Sequence, residues 1–155
     1  MSPDERPADV TPLERLLRAA EEGAAADAFL GTMPGTLLHT LGIEVHEARP
    51  DRVVASMRVG PAHHQPYGLL HGGASVALAE TVASIGSSLL PSGGLQRVVG
   101  LEINANHIRS VRSGTVTALG TPLHQGRSTQ VWSVEITDED GRLVCVSRCT
   151  LAVLE

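Results

Sequence analysis

One acidic side chain stands alone in the middle of this sequence. Between Arg58 and Arg97, Glu80 is the only Asp, Glu, Lys or Arg. It sits in the run QPYGLLHGGASVALAETVAS, residues 65–84, among Ala, Val, Leu, Gly and Ser. At about 100° per residue, Ala74, Leu78, Val82, Ile85 and Leu89 fall within about 80° of one another, an apolar stripe suited to packing on a sheet. On the same count Glu80 falls at about 240°, opposite the stripe, and Ser84 lies one turn further on beside it. Solvated helix faces usually carry several charges. This one carries only Glu80, which favours a carboxylate with a task over one that simply points into water.

The helix opens with His71-Gly72-Gly73. Two glycines there cost stability unless the backbone must approach something closely. Bare N–H groups at a helix start suit an anion or a polarised carbonyl. The chemistry on offer is therefore an N–H donor at Gly72 and a carboxylate base or nucleophile at Glu80. The two are about 12 Å apart along the axis, and Gly72 falls at about 160°, on another side. One helix cannot bring both to one point. Two helices packed antiparallel can, which predicts an obligate dimer with two equivalent interfacial sites.

The elements that must hold this helix are legible around it. Residues 1–12 carry three prolines and mixed charge and read as a flexible tail, leaving 13–155 as one domain. The run TPLERLLRAAEEGAAADAFL has a Thr11 N-cap, Pro12 at the first helical position and leucines at helical spacing. A short helix is expected from Gly35 to Leu41, ending at Gly42. IEVHEARPDRVVASMRV reads as two strands around an Arg49-Pro50-Asp51 turn. After the long helix come four segments rich in Val, Ile and Thr, separated by VRSG, GR and EDG turns. One helix among six strands implies an α+β fold with the sheet wrapped around the helix.

Composition narrows the partners. A net charge of -5 without a Lys/Arg run argues against nucleic acid. The polar start MSPDERPADV is neither a signal nor a transit peptide, and no apolar run is long enough to span a bilayer. Cys145 and Cys149, four apart on a strand, would lie about 13 Å apart, too far for a disulfide. They are expected to be reduced thiols in a cytoplasmic protein. His63, His64 and His71 match no zinc spacing and have no Cys or Asp nearby, so no metal is expected. Trp132, between apolar strand neighbours, is expected in the core.

QPYGLLHGGASVALAETVAS resembles the signature of the PaaI-like branch of hotdog-fold acyl-CoA thioesterases. VVGLEINANHIRS and TPLHQGRSTQVWSVEITDEDGRLVC resemble the later strands of the same group. The likeness spans about residues 33 to 154. It is nearest to enzymes acting on 1,4-dihydroxy-2-naphthoyl-CoA in menaquinone synthesis, with those acting on 4-hydroxybenzoyl-CoA similar too. It implies a hotdog fold and hydrolysis of an aromatic acyl-CoA to free acid and CoA, with no cofactor beyond the CoA of the substrate. Glu80 then matches the catalytic carboxylate, as nucleophile or general base, and Ser84 the residue that helps hold the attacking water. Gly72 matches the N–H that polarises the thioester carbonyl, and Gln65 and His71 the side chains that orient it. His107, Arg109, Arg127, Ser128 and Thr129 match positions used for CoA, whose phosphates need local positive charge on an acidic protein. The family shares its sites across a homodimer, and the nearest relatives suggest a homotetramer. A sub-branch acting on phenylacetyl thioesters has Asp where Glu80 stands, which counts against that substrate. An enoyl-CoA hydratase on this fold would need an Asp-His pair in the strand-to-helix loop, and no Asp is there. A non-catalytic acyl-CoA-binding module is the remaining alternative.

Overall fold

The computed structural model describes residues 10–154; the tail expectation for residues 1–9 falls outside the described residues. Pro12, the last residue assigned to the tail, instead opens a helix, α1 (Pro12–Glu21). Thr11 caps it, and Thr11 and Glu14 close a reciprocal capping box. The longer helical run expected here is split. Gly23 takes a φ of 73°, the chain turns, and a single turn α2 (Ala25–Ala28) follows. A second short helix, α3 (Leu37–Thr40), ends before Gly42 at φ 61°, as its position suggested.

Two strands, β1 (Ile43–Arg49) and β2 (Arg52–Val59), pair through the Pro50-Asp51 turn. The long helix α4 (Gly72–Ser88) comes next. Four strands complete the chain: β3 (Arg97–His107), β4 (Gly114–Gln125), β5 (Thr129–Thr137) and β6 (Leu143–Leu154). All pairings are antiparallel, and the sheet runs β1-β2-β4-β5-β6-β3. β2 and β5 alternate inward and outward residues with period two, as a sheet with one covered face requires.

The curved sheet wraps α4, which touches every strand. Leu78, Val82, Ile85 and Leu89 are buried as the stripe predicts, and Ala74 packs against them. Burial is wider than one stripe: Ser75, Ala79, Ala83, Gly86 and Ser87 are covered too. The small side chains explain how. A side chain at Gly86 would overlap the ring of Trp132, so glycine lets this fully buried indole lie flat on the helix. The core polar groups are satisfied. Trp132 Nε1 donates to Gln130 Oε1 at 3.1 Å, Ser87 Oγ donates to the same oxygen at 3.0 Å, and Gln96 Nε2 donates to the Ser87 carbonyl at 2.7 Å. Both cysteines are free and buried on the inner face of β6. Among the described residues no helix is long and apolar enough to cross a membrane.

Candidate active site

His71 is the N-cap of α4, and its Nδ1 accepts the Gly73 N–H at 2.8 Å. That bond gives His71 a structural task at the helix start and spends one ring nitrogen on it. The Gly72 N–H meets no acceptor among the described residues. Its Cα faces the imidazole of His107: a Cβ on residue 72 would lie 2.7 Å from Nε2. The glycine is there because a ring lies against it, and the open N–H is left beside that ring. Gln65 Oε1 accepts the Tyr67 N–H, which holds the side chain and leaves its amide nitrogen as a free donor.

Gln65, Gly72, His107 and Arg109 line one depression of about 280 Å³. Ile108 and Arg109 are placed by N–H bonds to the Val144 carbonyl at the start of β6. The chain thus unites two residues expected at the carbonyl with two expected to hold CoA.

Glu80 and Ser84 lie elsewhere. They share the opposite face of α4 with Val76, Ala77 and Thr81, on the wall of a cavity of about 860 Å³. Glu80 is its one carboxylate among the described residues, and Leu, Phe, Met and Val supply most of the rest. The volume is in the range of a small-molecule site. A side chain at Gly100, on β3, would run into Glu80 Oε1, so the carboxylate lies directly over that strand's backbone. The pairing of β3 with β6 shifts register between Gly100 and Glu102, which leaves Leu101 as an extra residue. Bulges of this kind re-aim the backbone beside functional groups. Beneath the carboxylate is Cys149, whose thiol is pushed up to about 11 by burial first, then by the nearby Glu80 and Glu102 carboxylates. Gly100 was not singled out from the sequence, and Cys149 was expected only as a reduced thiol, not as a neighbour of Glu80. The only signal was a glycine in a strand, which marks a close approach.

Arg127, Ser128 and Thr129 line neither cavity. They form the β4–β5 hairpin, where Gly126 N–H reaches the Thr129 carbonyl and Val153 N–H the Ser128 carbonyl. Thr129 pairs with Ala152 on β6, whereas His107 pairs with Cys145. Seven residues of strand separate these levels, about 23 Å. The five residues expected at CoA therefore fall into two groups at opposite ends of one sheet. The loop histidines are occupied by backbone: His63 Nε2 with the Leu41 carbonyl at 2.8 Å, His64 Nε2 with the Arg112 carbonyl at 2.7 Å.

A six-stranded antiparallel sheet around one long helix is the hotdog architecture. The chain belongs to the thioesterase superfamily, whose sequence model matches residues 67–145, and it is a thioester hydrolase. A Bacillus subtilis protein provisionally described as an esterase, ComA2, is 55% identical over 123 residues, covering 79% of this chain and 98% of its own. A 1,4-dihydroxy-2-naphthoyl-CoA hydrolase from Listeria monocytogenes is 50% identical over 119 residues, 76% of this chain and 94% of its own. The crystal structure of a Haemophilus influenzae thioesterase superposes with a TM-score of 0.73 at 50% identity, covering 79% of this chain and 85% of that one.

Proposed function

We propose that this thioesterase hydrolyses an aromatic acyl-CoA, with 1,4-dihydroxy-2-naphthoyl-CoA the favoured substrate, and that Glu80 supplies the base or the nucleophile. The observation that carries the reading is Glu80 on the wall of a largely apolar cavity of about 860 Å³. That space suits a bicyclic aromatic acyl group, and a relative of stated activity on such a substrate is half identical to this chain.

In the general-base form, water held by Ser84 attacks the thioester carbonyl carbon and its proton passes to Glu80. The oxyanion is met by the Gly72 N–H, with Gln65 and His71 orienting the thioester. Collapse breaks the C–S bond, and the CoA thiolate leaves and takes up the proton. In the nucleophilic form, Glu80 attacks the carbonyl carbon, the C–S bond breaks as the CoA thiolate leaves, and water then opens the mixed anhydride to free acid and the Glu80 carboxylate. An oxyanion donor contributes roughly 3 kcal/mol and a placed base roughly 10²–10⁴-fold. Both forms use protein groups alone.

The site needs two protomers. β3 ends the sheet, so one full edge of 11 residues has no strand beside it, and Val99 and Leu101 are 45% and 60% exposed along it. Antiparallel pairing of two β3 edges sets the His107 end of one beside the Arg97 end of the other. The His107 end carries Gly72, Gln65 and Arg109. The Arg97 end lies level with the hairpin of Arg127, Ser128 and Thr129, since Arg97 pairs with Leu154. One pairing thus joins both halves of the CoA set and brings Gly72 toward the partner's Glu80 side.

Purified protein and Glu80→Ala would be assayed for thiol release from 1,4-dihydroxy-2-naphthoyl-CoA, 4-hydroxybenzoyl-CoA, phenylacetyl-CoA and a medium-chain acyl-CoA. The naphthoyl ester is expected to turn over fastest, with loss of most activity in the variant and an unchanged oligomer by light scattering. Near-native turnover by Glu80→Ala would overturn the mechanism. Binding of CoA esters without hydrolysis would favour the binding-module alternative. In a single turnover in ¹⁸O-water, label in Glu80 would show the anhydride route, with water opening the anhydride at the Glu80 carboxyl carbon.

A further inference from the structure

The wall of the Glu80 cavity is built partly by the sheet, through Val98, Val99 and Leu154, and partly by the N-terminal helices. Leu13, Leu16 and Leu17 of α1 line it, with Phe29, Met33 and Leu37 behind them. We infer that these N-terminal residues form the acyl-binding wall, and that Leu13, Leu16 and Leu17 set the size of acyl group the enzyme accepts. The inference rests on the assignment of Glu80 to the reaction.

Three features support it. First, α1 is well formed and well placed. Its start is closed by the Thr11–Glu14 capping box, and the α2 that follows it is tied to the body where Ala25 N–H reaches the Gly93 carbonyl at 3.2 Å. Gly93 packs so closely on Gly23 that a side chain there would overlap the Gly23 carbonyl. Second, the helix leaves much of its apolar stripe open, with only Leu16 and Ala20 half-buried against the core. It has no buried residue, and Leu13 and Leu17 are 64% and 50% exposed, although both point into the cavity. Of the other elements only α2 packs closely against α1. An apolar stripe kept open in the same cavity as a catalytic carboxylate matches an apolar substrate group. Third, the stripe is continuous with Glu80. The same cavity runs from Leu13 and Leu16 to Ser84 and Glu80, so an acyl group whose carbonyl lies at Glu80 extends onto α1. This segment precedes residues 67–145 and so lies outside the superfamily's matched region.

The test is Leu16→Trp, which fills the wall, with Leu13→Ser, at a more exposed position, as the second variant. Both are checked for an unchanged circular dichroism spectrum and oligomer size. The ratio of kcat/KM for the naphthoyl ester over acetyl-CoA is expected to fall about tenfold or more, mainly through KM, as pocket reshaping by a few carbons does elsewhere. Binding of a non-hydrolysable naphthoyl-CoA thioether, measured by calorimetry, is expected to weaken in parallel. An unchanged ratio with unchanged binding would overturn the inference, and so would an equal loss for both esters. The two readings fail separately. Glu80→Ala with undiminished turnover refutes the chemistry and leaves the binding result standing. Unaltered thioether binding in Leu16→Trp refutes the wall and leaves Glu80 in place.

Discussion

Replacing Gly100 with alanine separates catalysis from stability at this site. Gly100 lies on the exposed edge strand β3, and the added methyl would overlap Glu80 Oε1. For the fold the change is mild. Alanine in a strand is favoured over glycine by roughly 0.5–1 kcal/mol, and the obstructed atom is the end of a flexible side chain that can rotate away. For the reaction it is severe. Restoring an ordinary contact moves the carboxylate by about 1 Å, and a misplacement of that size costs on the order of 10²-fold in rate. That corresponds to about 2.7 kcal/mol of barrier. The expected outcome is a melting temperature equal to or slightly above wild type, with kcat for an aroyl-CoA ester down about a hundredfold and KM little changed. The control is the same substitution in a Glu80→Ala background, where it should cost nothing more because the displaced group is gone. Activity within about threefold of wild type would refute the reasoning, since a 1 Å shift should exceed that. An equal loss with and without Glu80 would show that Gly100 acts through something else.

Other predictions follow from neighbouring parts of the molecule. Gly86→Ala gains about 1 kcal/mol of helix propensity but drives a methyl into the locked Trp132 ring, where overpacking costs roughly 1–3 kcal/mol. The melting temperature should drop by a few degrees, and a rise would show that the indole yields freely. Leu101→Asp on the open β3 edge should shift the protein toward monomer in light scattering and abolish turnover, whereas an active monomer would contradict the shared site. Cys149 titrates near 11 in the fold against an ordinary value of 9.0, because burial and then the Glu80 and Glu102 carboxylates disfavour the thiolate. The folded value is raised, so its contribution is intact below pH 9 and lost as pH rises from 9 to 11, on the order of 2 kcal/mol. Denaturant unfolding of wild type and Cys149→Ala across that window should show their difference narrowing; parallel curves would dismiss the effect. Both thiols should also resist a disulfide-exchange reagent at pH 8 until the protein is unfolded.

Much of this was legible from residue order alone. Glu80 stood out because charge was missing from everything around it, and helical spacing separated it from Gly72 without any coordinates. The strands around Pro50 and the late Val/Ile segments were readable because a sheet with one covered face imposes period two on its sequence. The stripe on α4 was right but narrow. Periodicity sees one contact face, whereas a sheet that wraps the helix buries Ala79, Ala83 and Gly86 as well. The single helix expected from Thr11 broke at Gly23, where glycine's freedom at positive φ won over local propensity.

By itself the sequence determined which side chains could do chemistry, that one helix could not unite them, and which superfamily uses that pattern. Those are properties of residue type and spacing, and they hold wherever the helix is placed. Tertiary structure alone decided that β3 is the open edge, because four similar strand patterns carry no label of their order in a sheet. It alone decided that the residues expected at CoA lie at two ends of that sheet, and that Gly100 and Cys149 flank the carboxylate. It also set the leucines of α1 on the wall of the same cavity as Glu80. These are contacts between residues distant in the chain, fixed by how the sheet closes on the helix, and no local pattern encodes them.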